Sequence, residues 1–229
     1  MSVSWIFDYW PLLLWGAGQT LALLVISIGL GFPLAIGIAL LRVGQNRPLR
    51  MLANAYCTFF RGTPLLIQLW LLYYGIGSLL PMIPGLRGSF IWPVLTEGFF
   101  FAALSFTLNY AAYEAEVLRG ALCSVPKGEL EAARAFGMPK GKVTRRIWLP
   151  RAIRNVLPVL AGGVVLQLKA TPLAFTVTVM DLYAVAYKVR QDTLLVYEPL
   201  LVVTAFFIFV AIIINHLFQR IETQIPMRR

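Results

Sequence analysis

The chain has 229 residues, of which 59% are hydrophobic and only 13% are charged, and its mean hydropathy is +0.75. A soluble domain of this length needs more polar surface, so the composition predicts an integral membrane protein. The formal net charge of +10 does not indicate nucleic-acid binding, because the basic residues stand in short stretches between long apolar runs. Two distant cysteines, Cys57 and Cys123, and one histidine, His216, exclude a zinc site or a disulfide as an organising feature.

Five apolar segments are long enough to cross a bilayer, which takes about 20 residues. They are predicted near residues 20–41, 52–80, 98–118, 155–180 and 199–218. The first is expected to stay in the protein, because the N-terminus lacks the positively charged start and cleavage pattern of a signal peptide. Three tryptophans ahead of it, Trp5, Trp10 and Trp15, are expected to form an interfacial belt. The predicted fold is one all-α membrane domain spanning residues 1–229.

The sequence allows two possible start positions for the second predicted span. The charge-free run begins at Gly62, but an apolar helix could begin as early as Leu52 and break at Gly62–Pro64. Thr63 and Pro64 suit the N-cap and first turn of a new helix. Such a helix could begin inside the membrane and direct its positive end at an anionic group, or it could simply begin at the membrane surface.

The distribution of positive charge between the spans predicts the orientation. Segment 119–154 carries nine Lys or Arg against two Glu, whereas segment 81–97 has one cation and segment 181–198 has two cations against three acids. By the positive-inside rule, this alternation places the N-terminus outside and the C-terminus inside. The other positively charged positions on the inner side are Arg42, Arg47, Arg50, Arg61, Arg220, Arg228 and Arg229.

Small residues recur at four-residue spacing in the first span, at Ser27, Gly31, Ala35 and Ala39. Such a stripe would allow another helix to approach closely. The alternative is chance in a helix rich in Ala and Gly. Pro33 predicts a bend.

Residues 119–154 form a loop that is too long for a turn and too short for a domain. Pro126 suits a first helical turn, Glu129 and Glu131 suit the positive end of a helix, and Gly137 suits a C-terminal stop. These signals predict a helix of about two to three turns. Three of its residues share a narrow apolar face that could press into a groove on another protein, namely Leu130, Ala133 and Gly137.

The same loop resembles the EAA loop of ABC importer permeases. The match consists of Glu131-Ala132-Ala133, Gly137 three residues later, and Ile147-x-Leu149-Pro150 after nine more. The resemblance implies that the short helix docks into a cleft on a separate ATPase and transmits its closure to the spans. It assigns the docking contact to Glu131, Ala132, Ala133 and Gly137. The alternative is an amphipathic helix lying on the lipid surface.

The resemblance extends over most of the chain and narrows the family. Segments 60–68 and 113–120 resemble the polar amino-acid branch, and segment 173–182 resembles the M-type subunit of histidine/lysine/arginine/ornithine and opine importers. Such a subunit lies in the bacterial inner membrane, in contact with lipid. Its implied partners are a homologous Q-type permease, two ATPase subunits and a periplasmic substrate-binding protein.

The chain is not expected to bind ATP or to act as an enzyme. Its nearest approach to a phosphate-binding loop, Gly137-x-x-x-Gly141-Lys142-Val143, is one residue too short between the glycines and lacks the Ser or Thr that would bind magnesium. ATP and magnesium are therefore expected on the partner ATPase, with no cofactor or metal on this chain. Residues for a catalytic triad or a metal-binding carboxylate pair are also missing.

Polar residues within the spans are candidates for the substrate path, because burial in a membrane is costly for them. Lys169 lies midway along the fourth span and can either border the path or pair structurally with an acid of the other subunit. Gln167 and Thr171 share a face that Lys169 does not. The candidates are Gln68, Asn109, Gln167, Lys169 and Thr171.

Acidic residues offer little for substrate binding in this interpretation. Many related permeases carry an aspartate where this chain has Ala170, so a carboxylate for a basic substrate is expected from the partner subunit. Glu114 and Glu116 point to different faces and form no acid–base dyad, and Glu116 is expected to pair with Arg119. A secondary transporter driven by an ion gradient is the competing class, but five spans do not divide into equal repeats and the predicted topology puts no acid near the bilayer centre.

Overall fold

The computed structural model describes residues 5–224, and every regular element in that range is helical. The tail arginines Arg228 and Arg229 lie outside the described residues. The α-helices are α1 (Trp5–Val43), α2 (Arg47–Gly62), α3 (Leu65–Trp70), α4 (Gly77–Leu79), α5 (Trp92–Leu95), α6 (Gly98–Ser124), α7 (Lys127–Ala135), α8 (Lys140–Val143), α9 (Leu149–Asn155), α10 (Leu157–Ala170), α11 (Leu182–Thr193) and α12 (Tyr197–Thr223). The π-helical segments are Leu71–Ile76 and Thr144–Trp148, and the 3₁₀ segments are Leu80–Met82, Leu86–Gly88 and Thr171–Val177.

Within residues 5–224, four helical segments are long and apolar enough to cross a membrane. They are Trp5–Val43, Leu65–Met82, Leu157–Val177 and Tyr197–Thr223, and each overlaps a predicted span. Helix α6 begins at the start of the third predicted span and has 27 residues, but it is not among these four. Its polar residues, such as Asn109 and Glu114, lower its hydropathy.

Helix α1 is longer than the first predicted span. It runs for 39 residues from Trp5 without a break, and Pro33 lies inside it. The three tryptophans therefore belong to the helix instead of preceding it. Trp5 packs in a core cluster with residues of α11, whereas Trp10 and Trp15 are exposed.

The second predicted span consists of two helices separated at Thr63 and Pro64. Thr63 has an extended backbone and ends α2, because a residue that precedes proline is disfavoured in the helical region. Its hydroxyl donates to the carbonyl oxygen of Phe59 at 2.8 Å. The prediction that Thr63 is an N-cap and Pro64 a first-turn residue was therefore wrong. Thr63 is the C-cap of α2, and Pro64 takes the N-cap position of α3.

Three residues of the small-residue stripe pack against α6, so the stripe is not a chance feature: Gly31, Ala35 and Ala39. The fourth, Ser27, is also buried, but its hydroxyl accepts a hydrogen bond from Gln167 of α10. A Cβ atom added at Gly31 would lie 2.8 Å from the Tyr110 ring, so a larger residue would push the two helices apart. Close backbone approach between these two helices is the organising contact of the fold.

Glu116 of α6 joins three arginines from different parts of the chain. Its Oε2 atom accepts from Arg42 at 2.6 Å and from Arg61 at 2.9 Å, and its Oε1 atom accepts from Arg119 at 2.6 Å. The predicted pair with Arg119 is confirmed. The same carboxylate also ties the ends of α1 and α2 to α6.

Candidate functional site

Helix α7 forms as the loop signals predict. It follows Pro126, covers Lys127–Ala135, and ends before Gly137, whose φ is +76°. The Gly137 N–H donates to the carbonyl oxygen of Arg134 at 2.9 Å, and the Met138 N–H donates to that of Ala133 at 3.2 Å. This is the glycine-terminated C-cap of a helix, and it explains why a glycine stands at this position.

The residues assigned to docking differ in their exposure. Glu131, Ala132 and Gly137 are exposed, whereas Ala133 is only 7% exposed. Leu130 packs on a core cluster of the same chain. The apolar face of α7 was expected to contact another protein. Apart from Gly137, it instead packs on its own chain, because an apolar stripe next to an apolar surface is stabilised by burial against that surface.

Phe136 is a further exposed residue at the end of α7. Its side chain is 90% exposed, which is unusual for a phenylalanine. The sequence signal for this exposed residue was its position directly before Gly137, the glycine that ends the helix. Phe136 gives the C-terminal end of α7 a large exposed apolar group.

Two contacts hold this loop against the long helices. The indole Nε1 atom of Trp148 donates to the carbonyl oxygen of Leu122 at 2.8 Å, which links the returning segment to α6. Glu129 of α7 lies 3.6 Å from Arg151 of α9. The loop is thus tied to α6 through Trp148, and α7 is tied to α9 through Glu129.

A cavity of about 630 Å³ lies between α6, α10 and the break between α2 and α3. Its volume falls within the range of small-molecule sites, roughly 300–1,000 Å³. Most of its lining is apolar, as in many ligand sites. The polar side chains that line it are Thr63, Asn109, Tyr110, Tyr113, Glu114 and Gln167.

Gln68 and Asn109 are linked to each other and to the break between α2 and α3. The Gln68 amide donates to the carbonyl oxygens of Phe60 and Thr63 at 2.8 and 2.9 Å, and the Asn109 amide donates to Gln68 Oε1 at 3.0 Å. Both side chains thereby take part in satisfying backbone carbonyl oxygens that have no helical partner at the end of α2. Asn109 also lines the cavity, whereas Gln68 lies outside its lining.

The candidates on the fourth span are separated in space. Gln167 lines the cavity and donates to Ser27 Oγ at 3.2 Å. Thr171 is buried outside the cavity lining and donates to the carbonyl oxygen of Leu168, because the chain tightens into a 3₁₀ helix from Thr171 onward and the α-helical spacing no longer holds. Lys169 is exposed and is not part of the lining.

Glu114 is a cavity residue that the sequence pattern did not single out. It is 2% exposed, and its Oε2 atom has no hydrogen-bond partner among the described residues. Glu114 and Glu116 were predicted to point to different faces, and they do: Glu116 lies among arginines and Glu114 lies in the cavity wall.

Helices long and apolar enough to cross a membrane, a cavity lined partly by polar side chains and one short helix with exposed residues are features expected of a membrane transport subunit. Residues 12–225 match the family described as "Binding-protein-dependent transport system inner membrane component". The chain belongs to this family, and it is a permease subunit of an ABC importer in the inner membrane. Its activity is transport, with no enzymatic reaction of its own.

Relatives and solved structures agree with this assignment. The octopine transport system permease protein OccM of Rhizobium radiobacter is 41% identical, over 95% of this chain and 87% of the relative. The histidine/lysine/arginine/ornithine transport system permease protein HisM of Escherichia coli K12 is 36% identical, over 94% and 92%. The crystal structure of an amino acid ABC transporter with histidines aligns with a TM-score of 0.80 at 27% identity, covering 98% of this chain and 99% of that one.

Proposed function

We propose that this chain is the M-type permease of an importer for basic amino acids or opines. Relatives named for octopine and for histidine, lysine, arginine and ornithine support this substrate class. The observation that carries it is the cavity between α6 and α10, which presents a carboxylate, amides and tyrosines to a small polar solute. Asn109 and Gln167 border the path, and Gln68 positions Asn109.

The proposed topology has five spans, with the N-terminus in the periplasm and the C-terminus in the cytoplasm. Helix α6 is the third span, and it lies between the apolar segments Leu65–Met82 and Leu157–Val177. This arrangement puts α7 and its surrounding positive charges in the cytoplasm, on the side of the ATPases.

Cys123, near the end of α6, provides a test of this topology. It is exposed, whereas Cys57 is buried and serves as an internal control. With the chain expressed alone, a membrane-impermeant maleimide is expected to label Cys123 in inside-out vesicles and not in intact spheroplasts. Labelling in spheroplasts, absent from a Cys123→Ser variant, would contradict the orientation.

The proposed complex contains this chain, a homologous Q-type permease, two ATPases and a periplasmic binding protein. ATP and magnesium bind the ATPases. Closure of the ATPases displaces α7, and the contacts of Trp148 with Leu122 and of Glu129 with Arg151 pass the movement to α6 and α9. Because α9 leads into α10, both walls of the cavity move with the docking helix.

Reconstitution of the complex tests the function directly. With Mg-ATP enclosed in proteoliposomes and binding protein outside, labelled L-arginine or octopine is expected to accumulate. Enclosed ADP should give no accumulation. Uptake by this chain alone, driven by a sodium or proton gradient without ATPase, would contradict the proposal in favour of a secondary transporter.

A further inference from the structure

Residues 140–154, which lead from α7 back to the fourth span, carry a concentration of positive charge. The segment has no acid, and its six cations are Lys140, Lys142, Arg145, Arg146, Arg151 and Arg154. Arg151 lies 3.6 Å from Glu129, but the ion pairs formed by residues 5–224 include none of the other five. The segment therefore keeps an excess of positive charge that the described part of its own chain does not neutralise.

Three of these cations surround one concavity. Lys142, Arg145 and Arg146 are exposed and line a space of about 530 Å³, where α8 passes into the π-helical segment Thr144–Trp148. Like charges three or four residues apart on a helix repel one another. An anion in the concavity would remove this repulsion and form charge-assisted hydrogen bonds with the surrounding side chains. The arrangement is therefore suited to a negatively charged ligand.

The opposite face of the segment fixes the position of the three cations. Val143 and Ala152 are buried, and Trp148 donates from its indole Nε1 atom to the carbonyl oxygen of Leu122 at 2.8 Å. Ala152 and Trp148 belong to the core cluster that includes residues of α6. The concavity is thus built on a part of the chain that is held against a long helix, so little ordering is needed when an anion binds.

We infer that Lys142, Arg145 and Arg146 bind the phosphate group of an anionic phospholipid in the cytoplasmic leaflet. Helix α9 follows the π-helical segment and leads into α10, where the fourth membrane segment begins. The proposed topology therefore puts the concavity on the cytoplasmic side of this span. Clusters of Lys and Arg immediately cytoplasmic of a transmembrane helix bind anionic headgroups. Each arginine can form two parallel hydrogen bonds to phosphate oxygens through its planar guanidinium group.

The charge and the size of the concavity favour a lipid over the ATPase as its occupant. Glu131 is exposed on α7 and is assigned to the ATPase contact. An ATPase surface complementary to this carboxylate is positively charged, and such a surface does not complement three cations. A single carboxylate side chain would also leave most of the approximately 530 Å³ unfilled. A phosphate together with its glycerol groups fills more of this space.

Arg145→Gln combined with Arg146→Gln tests the inference on the complete transporter purified in detergent. Phosphatidylglycerol, which is anionic, is added in increasing amounts, and bound lipid is measured by native mass spectrometry with zwitterionic phosphatidylcholine as the reference. Each cation close to an anionic headgroup contributes about fivefold to the affinity, so the affinity for phosphatidylglycerol should fall about 25-fold. Arg145→Lys with Arg146→Lys keeps both charges and should retain most of the binding.

Arg47→Gln combined with Arg220→Gln is the matched control. Both arginines are exposed, are expected on the inner side, and take part in none of the ion pairs formed by residues 5–224. This variant loses the same charge away from the concavity, so its affinity for phosphatidylglycerol should stay close to that of the unsubstituted complex. Raising the ionic strength tests the charge dependence without any substitution, because salt should weaken the binding of phosphatidylglycerol and not that of phosphatidylcholine.

Four results would overturn the inference. Two are equal binding of phosphatidylglycerol and phosphatidylcholine by the unsubstituted complex, and an equal loss of phosphatidylglycerol binding in the two glutamine variants. Equally tight binding of glycerol 3-phosphate would indicate a site for a soluble phosphate compound. Loss of the ATPases from the Arg145→Gln and Arg146→Gln variant, with phosphatidylglycerol binding unchanged, would assign these cations to the ATPase contact. The proposed function would stand in each case, because uptake of L-arginine or octopine tests it separately.

Discussion

Gly137→Asp is expected to release the ATPase from the permease. Gly137 has a φ of +76°, where a residue with a side chain is strained by roughly 1–2 kcal/mol, and it ends the helix that is proposed to dock. The aspartate also places a negative charge at the negative end of α7. We expect ATPase binding in detergent to weaken at least about 30-fold, the loss of about 2 kcal/mol that marks an interface hot spot.

Glu131→Lys is expected to weaken the same interface by reversing an exposed charge on the outer surface of α7. Glu131→Gln should have a smaller effect, because it removes the charge without introducing repulsion. The measurements are co-purification of the ATPase and ATP-dependent uptake in proteoliposomes.

Gly141→Asp is the matched control for Gly137→Asp. Gly141 lies in the same loop, a Cβ atom there meets no described atom within 4 Å, and its φ is not positive. The Gly141→Asp substitution therefore introduces the same charge without the backbone strain. Gly137→Asn should preserve more binding than Gly137→Asp, since the two side chains adopt a positive φ at a similar cost and only aspartate adds a negative charge. Normal uptake and a retained ATPase in both Gly137→Asp and Glu131→Lys would show that α7 is not the docking helix.

Local signals were sufficient to predict the short helix within the 119–154 loop and the small-residue spacing in the first span. Pro126 and Gly137 act on the backbone next to them, so their positions define where α7 begins and ends. The spacing of Ser27, Gly31 and Ala35 is likewise local, although it does not say which helix packs on the stripe. Features of this kind depend on a few neighbouring residues, which the sequence displays directly.

The cavity could not be predicted in the same way. Gln68 and Asn109 are intramembrane polar residues, but whether they face a solute or satisfy the open carbonyls after α2 depends on how α2, α3 and α6 meet. Glu114 fits against α10 only because residue 163 is a glycine, which is a contact between distant parts of the chain. The direction of the α7 face depended equally on a tertiary contact, the packing of Leu130 on its own chain.

Glu116→Gln is expected to destabilise the assembled permease more than any other single charge removal among the described ion pairs. The carboxylate is 26% exposed and neutralises three arginines, of which Arg42 is only 12% exposed. Its loss leaves three cations close together, with the half-buried Arg42 lacking an acidic partner and keeping only its hydrogen bond to Asn54. We expect the free energy of unfolding to fall by about 2–3 kcal/mol, less than the roughly 3–5 kcal/mol of a fully buried pair. Solvent screens Arg61 and Arg119, which are both more than a third exposed.

The thermal midpoint of the purified complex measures this effect, and Glu129→Gln is its control. Glu129 and Arg151 lie 3.6 Å apart and are both about a third exposed, so removing that charge should change the midpoint little. Combining Glu116→Gln with Arg42→Gln should recover part of the loss, because the double variant no longer buries an unpaired cation. Equal midpoints for Glu116→Gln and Glu129→Gln would mean that the three arginines are separately solvated and that Glu116 does not tie α1 and α2 to α6.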